Sequence, residues 1–140
     1  MSESSKQSAE LMRRITAEIW DNGRVDLIDE LLAEDLINHF EVPGIDGTGR
    51  EQYRAQVEMT RSAFPDFRNP LDYVVAEGDL AVSYGRMVGT NTGEMMGMPP
   101  TGKTIDLPVF GMLRFSDGRA IERWGSWDTM AYSQQLGLLG

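Results

Sequence analysis

A tight-turn dipeptide between two strand-like segments constrains the C-terminal third of this chain. Asp117-Gly118 separates an apolar run that ends at Phe115 from a segment that extends to Asp128. A two-residue hairpin turn needs positive φ angles, which glycine adopts without steric cost. Two antiparallel strands are therefore predicted on either side of Asp117-Gly118, and Asp128 ends the second.

The second of these strands carries an indole and a carboxyl group in the same phase. Side chains alternate along a strand, so Trp124 and Asp128 are predicted to share one face and Arg123 to lie on the other. A bulge at Gly125 would shift this phase. Without a bulge, Trp124 and Asp128 face the same space, and Arg123 is interpreted as a solvated or cross-strand charge.

Upstream of this hairpin, the hydrophobic pattern is first helical and then strand-like. The spacing predicts a helix around Leu11, Ile15 and Ile19, which ends at Asp21-Asn22-Gly23. A second helix is predicted over residues 25–32, followed by a short extended piece at 36–40. A third helix begins at Thr48 or Gly49 and ends at Pro65, and strands follow over 71–76, 80–90 and 104–115.

Three helices followed by a four-strand antiparallel meander predict an α+β fold with the helices on one face of a curved sheet. The connection over residues 91–103 is too rich in proline and glycine for a regular element. It carries Met95, Met96 and Met98, and loops seldom bury so much apolar surface without a lid, partner or ligand.

Length and charge limit the partners of the chain. The 140 residues suit a single domain over 1–140, with the polar residues 1–6 expected to be disordered. The net charge of -9 disfavours nucleic acids and anionic membranes, and no segment approaches the ~20 apolar residues of a membrane span. A soluble, cytoplasmic protein is expected.

Three segments give the chain a family resemblance from about Glu10 to Leu138. They are Leu36-Ile37-Asn38-His39, the loop 92–103, and the end from Phe115 to Asp128 followed by Gln135-Leu136-Gly137. Together they resemble the SnoaL-like polyketide cyclases of the nuclear transport factor 2-like superfamily. The resemblance implies a cone: a strongly bent antiparallel sheet wrapped against N-terminal helices, with a deep apolar pocket inside.

The resemblance also implies a chemistry. In the cyclases, an aspartate at the position of Asp128 is the general acid/base in an intramolecular aldol condensation of a polyketide ester. No metal or organic cofactor is implied. The polar side chains that help to hold the enolate in those enzymes are missing from the corresponding run here, which includes Val109, Gly111 and Met112.

A ketosteroid isomerase-like pattern from the same superfamily fits less well. It places a carboxylate base where this chain has His39, a tyrosine near Thr16 and a second acid near Gly111. A steroid isomerase is therefore not expected. This comparison adds Thr16 and Gly111 to the candidate substrate-binding residues, and the strand compared with the cyclases adds Val109 and Met112.

Asp128 and His39 are the candidate catalytic residues, and each has a structural alternative. Asp128 could be the N-cap of a short C-terminal helix that begins at Thr129. Histidine is a common proton carrier in proteins, so His39, the only histidine, is a candidate for that role, but a lone histidine is equally often structural. In an ideal strand, Asn38 points away from His39, so only one of them faces the pocket.

Aromatic and thioether side chains are candidates for the wall around a flat, hydrophobic ligand. Each could equally be plain core. With the positions from the resemblance, the candidate substrate-binding residues are Asn38, Trp124, Trp20, Tyr53, Thr16, Val109, Gly111 and Met112.

The leading hypothesis is a cofactor-independent cyclase that acts on a hydrophobic carbonyl compound. One alternative is an epoxide hydrolase, for which the sequence offers no clear arginine and second acid. The other is a non-catalytic protein that binds an apolar small molecule. The resemblance further implies a homodimer formed through the outer face of the sheet.

Overall fold

Helices at the N-terminus pack against one face of a mixed sheet. The computed structural model describes residues 2–39, 45 and 48–139. In chain order its elements are α1 (Glu3–Arg14), a π-helix (Ile15–Asp21), a 3₁₀ turn (Val25–Leu27), α2 (Ile28–Leu31), β1 (Leu32–Asn38), α3 (Gly49–Ala63), β2 (Leu71–Glu77), β3 (Leu80–Thr90), β4 (Thr104–Ser116), β5 (Arg119–Trp127) and α4 (Thr129–Gln135).

The five strands form a single sheet in the order β1-β5-β4-β3-β2. β2 to β5 are antiparallel, as predicted, and Asp117-Gly118 has the positive φ angles (52° and 76°) that its hairpin turn requires. Register shifts near Leu71 and Phe115 introduce irregularities of the kind that bend a sheet. The predicted α+β class, a curved sheet against N-terminal helices, is confirmed.

The sequence prediction gave an extended piece at 36–40 but missed the start of this strand at Leu32 and its place in the sheet. Residues 25–32 form only the 3₁₀ turn and the four-residue α2, and at Leu32 the chain becomes extended and runs parallel to β5. Leu31 and Leu32 are both buried, as a helix would also require. Their apolar pattern therefore does not reveal that the backbone of β1 pairs with a strand near the other end of the chain.

The start of the chain also differs from expectation, because helix α1 begins at Glu3. The Ser2 side chain accepts a hydrogen bond of 3.1 Å from the Ser5 amide and caps the helix. Ser8 Oγ donates to the Gly78 carbonyl at 2.7 Å, and the Gly78 amide donates to Ser5 Oγ at 2.8 Å. These two buried serines fasten α1 to the β2–β3 turn, which explains why a polar segment is ordered.

A π-helix continues α1 and places polar and aromatic side chains towards the sheet. Its wider turn is visible in the hydrogen bond of 3.1 Å from the Asn22 amide to the Ala17 carbonyl. Ile15 and Ile19 enter the core, and Ile15, Thr16 and Trp20 border a cavity. π-helical turns are rare and are frequent at functional sites.

The buried apolar residues form two clusters that leave a space between them. One joins the N-terminal helices to β3, β4 and β5, and the other joins the end of α3 to the start of β4 and to Leu136. Trp20 packs against both clusters. Of the helices in the described ranges, none has the length and apolar character needed to cross a bilayer.

Candidate active site

A cavity of about 450 Å³ lies between the inner face of the sheet and the helices. α1 and the π-helix border it on one side and α3 on another, while the methionine loop (residues 91–103) and α4 stand at its mouth. Most of its border is apolar. The polar and charged residues on it are Thr16, Tyr53, Gln56, Thr60, Asn69, Ser83, Arg123, Thr129, Tyr132 and Ser133.

Arg123 is the charged residue on this border. It lies opposite Leu113 of β4, a core residue, so its side chain leaves the sheet on the inner face. Its guanidinium carbon is 5.5 Å from the ring centroid of Trp20 and 4.8 Å from that of Tyr53. These distances are within the range of cation–π attraction. Two aromatic rings therefore hold a cation beside the cavity.

Hydrogen bonds fix the groups around this cation. Trp20 Nε1 donates to the Tyr53 hydroxyl at 2.6 Å, and the two rings meet edge to face. Gln56 Oε1 accepts from Arg123 Nη1 and also, at 3.2 Å, from Asn38 Nδ2. Tyr53 and Gln56 are buried, so the orientation of Arg123 is set by groups that are themselves fixed.

Burial shifts the ionisation of both members of the Arg123–Tyr53 pair. Loss of solvation lowers the pKa of Arg123, and the nearby Tyr53 opposes this shift. Burial raises the pKa of Tyr53, against the effect of Arg123 and of the Trp20 hydrogen bond. Arginine stays protonated in proteins, so the cavity contains a neutral phenol beside a positive charge. In such surroundings a charge acts strongly on ligand atoms.

Asp128 does not border the cavity. It is exposed, and its Oδ1 accepts a hydrogen bond of 2.9 Å from the Ala131 amide as the N-cap of α4. Trp127 and Thr129 on either side of it do border the cavity. Asp128 is thus the N-cap of α4, which is the structural alternative that the sequence offered. Its catalytic role stays a prediction.

His39 does not border the cavity either, and it lies on the opposite face of β5. Its ring stacks on Trp124, with centroids 5.0 Å apart, and its Nε2 is 2.7 Å from Glu122 Oε2. Gly125 pairs regularly with Gly111, so no bulge changes the phase of the strand there. The expectation that His39 and Asp128 converge on the ligand space is therefore corrected: Trp124 borders the cavity, and the charged side chain beside it is that of Arg123.

The predicted substrate-binding residues lie mostly around the cavity. Asn38 does not border it, but it contacts Gln56, which does. Whether any of these residues binds substrate stays a prediction. Those on the border are Thr16, Trp20, Tyr53, Val109, Gly111, Met112 and Trp124.

Sequence reasoning missed Arg123 because it interpreted the charge as solvated. A signal was present in the same strand. Gly125, two residues further along, and its partner Gly111 both lie on the Arg123 face. Residues without side chains on neighbouring strands leave room above the sheet, and a charged residue beside that room has space to turn inwards.

The methionine loop is organised by one buried side chain. Asn91 Nδ2 donates to the carbonyls of Ala63 and Gly93, at 3.1 and 3.0 Å. Its Oδ1 accepts from the amide and hydroxyl of Thr101, at 2.9 and 3.0 Å. Met95, which borders the cavity, accepts a hydrogen bond from the Tyr132 hydroxyl at 2.7 Å. The loop is thus tied to both α3 and α4.

The described residues form no cluster of three or more histidine, aspartate or glutamate side chains that could hold a metal ion. The polar groups of the cavity are instead hydrogen-bond donors, acceptors and one cation. This arrangement can stabilise a negative charge on a ligand oxygen inside apolar surroundings.

Comparisons with known proteins agree with this architecture. The chain is similar to a candidate SnoaL-like polyketide cyclase from Jannaschia sp. CCS1, with 26% identity, a TM-score of 0.86 and coverage of 100% of this chain and 98% of that one. It is also similar to IdmH, a candidate polyketide cyclase from Streptomyces antibioticus, with 29% identity, a TM-score of 0.79 and coverage of 94% and 99%.

A more distant structure shows the same fold. An epoxide hydrolase of LEH-like type from M. tuberculosis has 14% identity and a TM-score of 0.71, with coverage of 96% of this chain and 92% of that one. No curated protein matches the sequence. The family model of the SnoaL-like polyketide cyclases matches residues 10–136. The chain therefore belongs to the SnoaL-like polyketide cyclase family.

Proposed function

We propose that this protein closes a ring by an intramolecular aldol reaction on a hydrophobic, polyketide-like carbonyl compound. The observation that carries the proposal is Arg123, a cation held by two aromatic rings beside an apolar cavity. Removal of an α-proton from a carbonyl compound creates negative charge on the carbonyl oxygen. A fixed donor aimed at that charge is the largest single contribution in many enzymes.

The reaction needs a base, an oxyanion donor and an acid. A base removes the α-proton, and the resulting enolate oxygen is stabilised by Arg123. The enolate carbon then attacks a second carbonyl carbon of the same molecule, which forms the new carbon–carbon bond. The alkoxide takes up a proton from the acid, so the ring-closed product is an isomer of the substrate.

Asp128 is our candidate for the proton carrier. Trp127 and Thr129 on either side of it border the cavity, so a movement of the chain at the start of α4 is needed to bring its carboxyl group to the ligand. This movement would break its hydrogen bond to the Ala131 amide, and an N-cap contributes about 1 kcal/mol. Contacts with a bound substrate can offset a cost of this size.

A matched pair of arginine variants tests the proposal. The probe is the methyl ester of a linear tetraketide, whose ring closure is followed by liquid chromatography and mass spectrometry. Arg123→Met should lower the rate by about 100-fold, the effect of removing one oxyanion donor. The control is Arg119→Met, which changes an exposed residue of the same strand. Equal rates for the two variants would contradict the proposed role of Arg123.

A second candidate is a binding protein without catalysis. It is favoured by the composition of the cavity border, on which the described residues include no carboxylate and no imidazole. The same feature argues against an epoxide hydrolase, because Arg123 supplies the cation but the two acids lack counterparts there. Calorimetric binding of the tetraketide ester without any turnover would identify a carrier.

We also propose that the outer face of the sheet forms a homodimer. Tyr73 and Val75 of β2 and Phe110 of β4 are more than half exposed there, and Tyr84 lies between Tyr73 and Phe110 with ring contacts to both. Exposed apolar side chains grouped in this way commonly mark an interface. Val75→Glu should shift a dimer to a monomer in light scattering coupled to gel filtration. A monomeric wild-type protein would contradict this proposal.

A further inference from the structure

Two hydroxyl groups on the cavity border have no hydrogen-bond partner in the protein. Thr16 of the π-helix and Ser83 of β3 both border the cavity, and each residue is 6% exposed. Within the described part of the chain, neither side-chain hydroxyl makes a hydrogen bond to protein. A hydroxyl group in largely apolar surroundings gains from a hydrogen bond, and the small exposed surface of these residues lies at the cavity. Their partner is therefore expected inside the cavity.

A third polar group extends this region. Asn69 also borders the cavity, and its buried Oδ1 has no hydrogen-bond partner. Its backbone amide is fixed by Asp21 Oδ1 at 2.8 Å. Asn69 directly precedes β2, whose first residue, Leu71, pairs with Gly85 of β3, two residues beyond Ser83. The β2–β3 side of the cavity therefore offers hydroxyl and amide groups.

The sheet next to Ser83 is bare. Gly111 is the β4 partner of Ser83, and a Cβ atom added there would approach only Ser83 Oγ, at 3.2 Å. On its other side, Gly111 pairs with Gly125 of β5. Ser83, Gly111 and Gly125 thus lie side by side on β3, β4 and β5. Of these three residues, Ser83 alone has a side chain, and that side chain is short. A flat molecule can lie against this backbone with its edge at the Ser83 hydroxyl.

Arg123 stands at the opposite end of this bare surface. It is two residues from Gly125 on β5, and β5 is separated from β3 by two interstrand spacings of about 4.8 Å each. The two residues between Gly125 and Arg123 add an offset of about 6.7 Å along β5, so the main chains at Ser83 and Arg123 are roughly 12 Å apart. This distance is comparable to the length of two fused six-membered rings with a substituent at each end.

We propose that Ser83, Thr16 and Asn69 form a second polar subsite, which binds a hydroxyl or carbonyl oxygen on the end of the ligand remote from Arg123. The inference rests on the proposed function and names its substrate class: a flat molecule oxygenated at both ends. A fatty acyl chain with one polar head would leave this subsite unpaired. The subsite thus sets the orientation of the substrate as well as its identity.

The test uses binding alone, so it stands or fails separately from turnover. Dissociation constants are measured by calorimetry for 2-naphthoate and for 6-hydroxy-2-naphthoate, which differ only in the hydroxyl remote from the carboxylate. The wild-type protein should bind the hydroxylated probe about tenfold more tightly. Ser83→Ala, which removes one oxygen atom, should abolish this preference and leave the affinity for 2-naphthoate unchanged.

Two comparisons keep the test falsifiable. Ser126→Ala changes an exposed serine on β5 and should retain the wild-type preference. Thr16→Val preserves side-chain shape and should reduce the preference in part. Equal binding of the two naphthoates by wild-type protein, no binding of either, or an unchanged preference in Ser83→Ala would each overturn the second subsite. Failure of tetraketide cyclisation would leave it standing.

Discussion

The guanidinium carbon of Arg123 lies 4.8 Å from the ring centroid of Tyr53, and the hydroxyl of that ring accepts the indole N–H of Trp20. Three residues from β5, α3 and the π-helix thus form one unit. The atoms of this unit that stabilise the fold need not be the atoms that act on a ligand. Measuring both unfolding and turnover in the same variant can distinguish them.

Arg123→Met should separate function from stability. Arg123 is only partly exposed, and replacing such a charge by an apolar side chain of similar size is often close to neutral, because the cost of desolvating the charge disappears. The free energy of unfolding in urea should therefore change by less than about 1 kcal/mol, although turnover falls. A loss of several kcal/mol would show that the guanidinium is mainly structural.

The two roles of Asp128 can be distinguished by comparing Asp128→Ser with Asp128→Ala. Serine retains the N-cap, whereas alanine should lower the free energy of unfolding by about 1 kcal/mol. If the carboxyl group carries protons, both variants should lose cyclisation activity. Full activity in Asp128→Ser would leave Asp128 with its capping role alone.

The raised pKa of Tyr132 leads us to expect that the free energy of unfolding decreases at alkaline pH. Burial raises the pKa of Tyr132 to about 12 in the folded protein, whereas the unfolded chain ionises near its ordinary value of 10.0. Below pH 10 this contribution is fully present, and between pH 10 and 12 it is lost because only the unfolded state releases the proton. The loss should be about 1.5 kcal/mol, because partial exposure reduces the roughly 2.7 kcal/mol of two pKa units.

The measurement compares urea unfolding of the wild-type protein and Tyr132→Phe at pH 9 and pH 11. Phenylalanine has no proton to release, so its decline over this interval, which covers about half of the titration, should be smaller by about 0.7 kcal/mol. Tyr73→Phe, at an exposed position, is the control and should decline as the wild type does. Parallel curves for all three proteins would contradict the prediction.

Ser8→Ala should destabilise the docking of α1. It removes the 2.7 Å hydrogen bond to the Gly78 carbonyl and leaves a buried acceptor, which costs about 1–2 kcal/mol. Ser4→Ala, at an exposed position of the same helix, should have little effect. Urea unfolding of both variants provides the measurement, and equal midpoints would show that α1 does not depend on this contact.

Asn91→Ala should release the methionine loop. The substitution removes four hydrogen bonds that join Ala63, Gly93 and Thr101. We expect faster amide hydrogen exchange over residues 92–102 and little change in β2. Asn22→Ala, in an exposed turn, is the control. Unchanged exchange in Asn91→Ala would mean that other contacts hold the loop.

The fold was largely predictable because its signals are local. Helix α3 between Thr48 and Pro65 and the Asp117-Gly118 hairpin follow from caps, turn residues and periodicity over a few positions. Strand β1 was not predictable in this way. Its partner β5 lies more than 80 residues later, and only that pairing decides whether Leu32 ends a helix or begins a strand.

The candidate site was predictable only in outline. Local chemistry correctly gave the capping alternative for Asp128, and the resemblance gave an internal cavity. Arg123 and Trp124 are adjacent, however, so their side chains point to opposite faces of the strand. Either of the two could be the one on the inner face. Which of them points to the inner face of the sheet depends on the face that the helices cover, and alternation along β5 contains no information about that choice.

The π-helix means that chain length, as well as side-chain volume, shapes this cavity. Deleting the exposed Ala17 would allow the segment to close up as an ordinary α-helix. Because the wide turns of a π-helix accommodate an extra residue, the segments on either side of the deletion would keep nearly the same rotation about the helix axis. Trp20 would therefore stay on the side of Tyr53 and Arg123, whereas the turn beside the cavity would become narrower. A one-codon deletion would thus change the width of the ligand space while preserving the aromatic rings that hold its cation.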